Sequence, residues 1–247
     1  MSQKKRVVYE LKDLRKDYGN RTVLQISHLE FHPGTIYGIV GSVGSGKSTL
    51  LRLLGGKERE TSGSLKYDDD IFKTGWFGKI YSNEDIFLPN LEIFRENQKV
   101  NQALKVVHPN KVDSIYKRFF SNGHQKVLWD QRIGQLSPGE KSWFNNIIAV
   151  SSDPRVLLID DYGITLDNKM EFDFRKKFIK MSRELGTTII LAAPDDFHLK
   201  KFAAVLIYLD NGHISKIRPG KTKSQDKFHK RSLTCVLRSY ENWPHHL

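Results

Sequence analysis

Residues Gly41 to Ser48 read GSVGSGKS, which fits the spacing G-x-x-x-x-G-K-S. The residues before them, Thr35 to Val40 (TIYGIV), read as a short buried strand, and those after them, Thr49 to Leu54 (TLLRLL), as a helix. A strand that turns sharply into a helix aims several backbone N–H groups, and the positive helix end, at one anion. Gly41, Gly44 and Gly46 permit backbone angles and a close approach that a Cβ would block. Lys47 can reach outer phosphates, and the Ser48 hydroxyl can ligate Mg²⁺. The loop therefore predicts an α/β chain wrapped around a parallel sheet, with a nucleoside triphosphate as its ligand.

At 247 residues the chain is long enough for one large α/β domain, or for one core with a smaller inserted lobe. No apolar run approaches the ~18–20 residues needed to span a bilayer. The longest runs, Val156 to Ile159 and Ala203 to Leu209, have strand length. The N-terminal MSQKKRVVYELKDLRKD carries charges but no apolar core, so it does not read as a secretory signal. The single cysteine, Cys235, excludes an internal disulfide framework and a multi-cysteine zinc site, and reads as a lone thiol in a reducing compartment. The formal net charge of +12 points to an anionic partner or surface, but the Lys and Arg are dispersed rather than blocked. Dispersed excess reads as solubility more than as a nucleic-acid footprint, and no nucleic-acid partner is expected.

Along the chain, Val7 to Leu14 and Thr22 to Phe31 are strand candidates around a turn at Tyr18-Gly19-Asn20. Gly55-Gly56 stops the first helix, and Ser64 to Tyr67 reads as a strand after a Thr61-Ser62-Gly63 turn. Between Asn90 and Gln135 apolar residues recur at helical spacing, which predicts a mainly helical insert. The α/β pattern then returns as a helix from Pro138 to Val150, a strand from Arg155 to Ile159, a helix from Lys169 to Leu185 and a strand from Thr187 to Ala192. A hairpin around Asn211-Gly212, Ala204 to Leu209 with His213 to Ile217, closes it. The continuous apolar runs VLLID and TTIILAA suit a parallel sheet covered on both faces. Beyond it, Lys221 to Leu247 holds six Lys or Arg against two acids, a basic tail in which Trp243, His245 and His246 read as solvated.

Three further motifs stand in telling order: Leu136-Ser137-Pro138-Gly139-Glu140 at a helix start, the strand Val156-Leu157-Leu158-Ile159 ending in Asp160, and Ile164-Thr165-Leu166-Asp167. Tyr18 lies upstream of all of them. With the glycine-rich loop, this set resembles the ATP-binding cassette (ABC) ATPases, the nucleotide-binding subunits of ABC transporters, over roughly residues 5–217. The resemblance implies a P-loop NTPase core with a parallel sheet, an N-terminal antiparallel β-subdomain and a helical signature subdomain as an insert. It divides the chain into a cassette at 1–219, with core segments 1–89 and 136–219 and the helical lobe at about 90–135, and a basic appendage at 220–247. It implies that Tyr18 stacks on adenine, and that Gly41, Ser42, Gly44, Ser45, Gly46, Lys47, Ser48 and Thr49 hold the phosphates. It further implies that Asp160 and Ser48 serve Mg²⁺, that Asp167 belongs to the loop facing the other subunit, and that Ser137 and Gly139 contact ATP bound to the opposite cassette. Pro138, where the family usually has glycine, suits a first helical turn.

The departures from the family are equally informative. The glutamine that assists Mg²⁺ and the attacking water is Asn83 here, six residues before Pro89. The catalytic glutamate is Asp161, followed by Tyr162 rather than proline. Pro194 stands in place of the switch histidine; Asp195 and Asp196 follow, and His198 comes four residues late, which disfavours it as a substitute. Asp161 and Asn83 each shorten the arm by one methylene, about 1.5 Å, and a misplacement of about 1 Å can cost on the order of a hundredfold in rate. The expectation is a site that binds Mg-ATP and hydrolyses it slowly, in a homodimer or in a heterodimer with a better-equipped cassette. Such a subunit recruits separate transmembrane permeases at the inner face of the cell membrane, from the cytoplasm. Ile86, Phe87, Leu88, Leu91 and Phe94 offer either a docking patch for them or a lobe interface. The alternatives are an ABC ATPase working on nucleic acid or ribosomes, and a structural cassette with little turnover.

Overall fold

The computed structural model describes residues 7–75, 80–81, 83–123 and 125–220. The expectations for Cys235, Trp243, His245, His246 and the basic tail fall outside them. The chain begins with β1 (Tyr9–Tyr18) and β2 (Arg21–Phe31), then β3 (Ile36–Val40), α1 (Lys47–Leu54), β4 (Ser62–Tyr67), β5 (Asp70–Ile71) and β6 (Ile86–Phe87). Short helices α2 (Val100–Val107), α3 (Val112–Ile115) and α4 (Gln125–Leu128) follow. The chain then runs through α5 (Pro138–Ser151), β7 (Val156–Ile159), α6 (Asn168–Lys180), β8 (Thr188–Ala193), β9 (Val205–Asp210) and β10 (His213–Pro219).

Two sheets form. A four-stranded antiparallel sheet has the order β2-β1-β4-β5, and a six-stranded one has the order β10-β9-β3-β8-β7-β6. In the larger sheet β3 runs parallel to β8 and β9, and β7 runs parallel to β8 and β6. Only β10 is antiparallel, joined through the Asn211-Gly212 turn in which both residues have positive φ, 45° and 83°.

Every residue of β3, β7 and β8 is buried, as their unbroken apolar sequences require. The strand period sorts those residues between two cores. Ile36, Val40, Leu157, Ile159, Ile189 and Leu191 face a core shared with the helical lobe, α5 and α6. Tyr37, Ile39, Val156, Leu158, Ile190 and Ala192 face the core under α1 and the antiparallel sheet. The parallel sheet is thus the wall between two hydrophobic layers, and its carboxyl edge collects the loops that matter here.

One sequence expectation changes and one pair of alternatives is narrowed. Of the docking patch and the lobe interface read at Ile86, Phe87, Leu88, Leu91 and Phe94, the packing matches the interface. Ile86 and Phe87 pair with Val156 and Leu157 as the edge strand β6, Leu88 and Leu91 pack against the cores, and Phe94 is buried. Ile93 stays exposed there. Of the Thr61-Ser62-Gly63 turn, Ser62 and Gly63 instead begin β4, where Gly63, at φ 81°, sits at the irregularity of the β1–β4 ladder between the Lys12–Ser64 and Arg15–Ser62 pairs.

Candidate functional site

The glycine-rich loop leaves β3 and enters α1 with Gly46 as N-cap, at φ 103°, and no side chain caps the first-turn amides. A Cβ at Gly46 would stand 2.6 Å from the Leu24 side chain, and one at Gly41 would stand 2.4 Å from the Leu209 carbonyl oxygen. Glycine at both places lets the loop close tightly on the sheet edge. Among the described residues the Ser45 hydroxyl is buried there without a hydrogen-bond partner. Uncapped helix amides beside an orphaned buried hydroxyl are a cradle shaped for an anion.

Lys47 is buried and its ammonium turns back on its own loop. It donates to the carbonyl oxygens of Gly41 at 2.7 Å and Ser42 at 2.8 Å. Ser48 is half-buried and Thr49 buried, with the Thr49 hydroxyl accepting from Arg52 at 3.2 Å.

Because β3, β7 and β8 are parallel neighbours, the residues that follow them share one edge. Val40 pairs with Ala193 and Ile159 with Leu191, so Gly41 and Pro194 emerge side by side and Asp160, level with Ala192, leaves the same edge. The Asp161 amide donates to the Asp160 carboxylate at 3.0 Å. Asp161 itself is exposed and has φ 52°, the left-handed region. Although the residue is exposed, its carboxyl is pushed above the usual range, first by partial desolvation, then by the neighbouring Asp160 charge, with Lys47 acting in the opposite direction. The structure therefore brings Lys47, Asp160 and Asp161 into one electrostatic neighbourhood.

Other expected site residues lie apart or are occupied. Asn83 accepts from the Asp85 amide at 2.9 Å, closing a side-chain turn ahead of β6, and among the described residues it makes no hydrogen bond to Asp160, Asp161 or the loop. Tyr18 is 42% exposed at the end of β1, and its hydroxyl is engaged with Glu58 and with Arg52. Its ring carries Lys16 at 5.0 Å, so the face is open only in part.

Ser137 caps α5 in a reciprocal box. Its hydroxyl accepts from the Glu140 amide at 3.3 Å, while its own amide donates to the Glu140 carboxylate at 2.7 Å. Asp167 caps α6, accepting from the Met170 amide at 2.7 Å. The Thr165 hydroxyl donates to the Pro138 carbonyl oxygen at 3.3 Å, which ties the segment before α6 to the start of α5.

His198 is held elsewhere. Its Nδ1 stands 3.6 Å from the buried Glu171 carboxylate, too far for a good hydrogen bond. The Tyr162 hydroxyl donates to Glu171 at 3.0 Å, and Arg175 lies 3.8 Å from the same carboxylate. The residue that replaces the family proline thus anchors a buried polar cluster behind the Asp160-Asp161 loop. Sequence reasoning missed that cluster. Its signal was Glu171, a charge on the same helical stripe as the buried Phe174, Phe178 and Met181.

Comparison with known proteins places this geometry. The sequence profile of the ABC transporter family matches residues 24–162. A probable sulfate/thiosulfate import ATP-binding protein, CysA of Chlorella vulgaris, is 27% identical over 84% of this chain and 89% of its own length. The methionine import ATP-binding protein MetN of Chlamydia caviae is 28% identical over 89% of this chain and 67% of its own. The sn-glycerol-3-phosphate import ATP-binding protein UgpC of Ruegeria sp. is 30% identical over 83% of this chain, which spans only 60% of UgpC.

Among solved structures, cbiO1 from Clostridium perfringens, part of the cbiONQ transporter complex, shares the fold with a TM-score of 0.69 at 20% identity, over 96% of this chain and 98% of its own. A dimeric bacterial ABC transporter cassette aligns with a TM-score of 0.70 at 17% identity, over 87% of this chain and 99% of its own. The chain belongs to the ABC transporter family, as an ATP-binding cassette of the P-loop NTPase fold.

Proposed function

We propose that this chain is the ATP-binding subunit of a membrane transporter complex, gripping Mg-ATP at a cassette dimer interface and turning it over slowly at its own site. The observation that carries this reading is the uncapped N-terminus of α1 beside the orphaned Ser45 hydroxyl and the folded-back Lys47. An incoming triphosphate accepts from the free amides and from Ser45. It also draws the Lys47 ammonium off the Gly41 and Ser42 carbonyls, exchanging two neutral acceptors for a stronger anionic one. Tyr18 is assigned to the adenine face, and Gly41, Ser42, Gly44, Gly46 and Thr49 to the wall of the cradle.

Ser48 and Asp160 suit Mg²⁺, which prefers hard oxygen ligands, because among the described residues the Ser48 hydroxyl is unengaged and Asp160 keeps a carboxylate oxygen beyond the one that Asp161 uses. When bound, the ion neutralises charge on the phosphates and orients them. Asn83 is the third candidate ligand, once its turn with Asp85 opens.

The chemistry of hydrolysis is the weaker half. Asp161 lies beside the site but is short and left-handed, Pro194 has no side-chain donor, and the His198 ring lies against the buried Glu171, its Nδ1 3.6 Å from that carboxylate. Electrostatic donors of the missing kind are commonly worth a few kcal/mol in the transition state. Ser137 and Gly139 are assigned to the ATP of the opposing cassette, so this chain can complete a competent site on a partner, while its own site acts as a clamp. In this reading residues 1–219 form the cassette, with the helical lobe at about 90–135.

Among the described residues no helix is long and apolar enough to cross a membrane. In this reading transmembrane permease subunits carry the membrane passage, and the cassette sits at the cytoplasmic face of their membrane. Isothermal calorimetry with Mg-ATP, together with turnover measured alone and with co-purified membrane partners, tests the proposal. The expected result is saturable binding with slow turnover. Absence of binding, or rapid turnover that depends on Asp161, overturns it.

A further inference from the structure

The Tyr18 hydroxyl is held by residues from another part of the chain. Helix α1 ends at Gly55, and Gly56, at φ 62°, turns the chain back so that the Lys57 amide donates to the Arg52 carbonyl oxygen at 2.8 Å. The residues that follow run beside the end of β1. The Thr61 amide donates to the Arg15 carbonyl oxygen at 2.7 Å, and the Thr61 hydroxyl accepts from the Asp17 amide at 2.9 Å. This return sets Glu58 against Tyr18, 40 residues away in sequence.

Glu58 gathers what surrounds that ring. One carboxylate oxygen accepts from the Tyr18 hydroxyl and stands 3.5 Å from the Lys16 ammonium, while the other accepts from Arg52 Nε at 2.5 Å. Arg52 Nη2 also donates to the Tyr18 hydroxyl at 3.3 Å and to the Thr49 hydroxyl at 3.2 Å. One guanidinium thus joins the wall of the phosphate cradle to the tyrosine. Lys16 donates to the Arg59 carbonyl oxygen at 2.7 Å and lies over the Tyr18 ring. Partly exposed ion pairs add little to stability, so stability alone gives no reason to gather three charges on an exposed tyrosine. A ring free to change rotamer would lose that freedom when a base stacked on it; here the polar handle has already removed it.

We propose that Arg52 and Glu58 are positioning residues for nucleotide binding: they fix the Tyr18 hydroxyl so that its ring stands ready for the base, with Lys16 on one face and the base on the other. The inference rests on the ATP-binding reading and adds how the base half of that ligand is gripped.

Isothermal calorimetry of the full chain with Mg-ATP, and with Mg-tripolyphosphate, which has the phosphates but no base, tests the proposal. Glu58→Ala and Tyr18→Phe should each weaken Mg-ATP about three- to tenfold and leave tripolyphosphate within about 1.5-fold. The two substitutions together should weaken Mg-ATP no further than either alone, because both release the same hydroxyl. Tyr18→Phe keeps the ring and removes only a hydroxyl, so it reads the clamp even where Glu58→Ala fails to fold. The double-variant comparison uses ATP alone, so it decides even where tripolyphosphate binds too weakly to measure. Unchanged Mg-ATP affinity in Tyr18→Phe, equal weakening of both ligands, or additive losses in the double variant would each overturn the assignment and leave the ATP-binding reading intact. A parent chain that binds no Mg-ATP overturns that reading, and this assignment with it.

Discussion

Asp161 shows how one residue departs from its family in two ways at once. The missing methylene is visible in the sequence; the backbone is not. A proline at 162 would hold residue 161 in the extended region, whereas Tyr162 leaves it free to take φ 52°. Aspartate tolerates that region better than glutamate because its short side chain bonds locally. Asp161→Glu alone is therefore expected to raise turnover by less than about tenfold, short of the roughly hundredfold that a 1 Å correction would bring, and a single-turnover assay reads the difference.

The same carboxyl predicts a pH dependence. Its folded pKa is raised, so between the unfolded value and the folded one the native protein holds more protons than the unfolded chain. Its contribution to stability is thus fully present at acid pH and is lost as pH rises through the folded pKa. Asp161→Asn removes the charge that causes the loss. The variant should melt above the parent at about pH 7, and the gap should close toward about pH 3.5. Thermal melts across that range check the sign; a gap that widens toward acid contradicts the electrostatic neighbourhood of Asp160 and Asp161.

At the scale of elements, α5 has two roles that substitution can separate. Ser137 caps the helix through its reciprocal box with Glu140, and it is also the residue assigned to the opposing ATP. Ser137→Ala should cost about 1 kcal/mol, typically 0.5–2 for such a cap, or roughly 2–4 °C in a chain of this size. Ser137→Asp keeps a good cap but aims a negative charge at the partner's phosphates. It should therefore melt like the parent and yet fail to dimerise with Mg-ATP, as followed by size-exclusion chromatography. The ends of α5 were legible because Ser137, Pro138 and Glu140 are start signals read one residue at a time. The burial of β7 and β8 on both faces was legible because such a strand has an unbroken apolar sequence, whereas their order beside β3 was not. By contrast β6 is two residues long, and its pairing with β7 is fixed only by tertiary packing, so its apolar side chains read equally as a surface patch or as an interface. The segment between Asn90 and Gln135, read as mainly helical, breaks into short helices whose boundaries follow packing rather than propensity. The Lys47 posture and the Tyr162–Glu171–His198 cluster depend on contacts distant in sequence, and Asn83's commitment to Asp85 depends on which of two local bonds wins.

For the whole molecule the open issue is what closes against this cassette, and net charge offers a physical discriminator. Two copies each carrying +12 repel, and the repulsion must be overcome by the bound nucleotides and by contacts at Ser137 and Gly139. Screening weakens that repulsion, since the Debye length falls from about 30 Å at 0.01 M salt to about 10 Å at 0.1 M. A homodimer held by Mg-ATP should therefore tighten as salt rises over that range, provided nucleotide stays saturating. A heterodimer with an acidic cassette should do the reverse, because there the long-range term is attractive. Sedimentation velocity of the chain alone, then with its co-purified partner, at both ionic strengths reads the two slopes. Lys47→Ala should abolish nucleotide-driven association in either case, as the ammonium that holds the outer phosphates is gone, and persistence of the dimer in that variant would show that ATP is not what joins the cassettes. A self-association that weakens with salt would show that local attractions, not the repulsion of the two net charges, govern the homodimer.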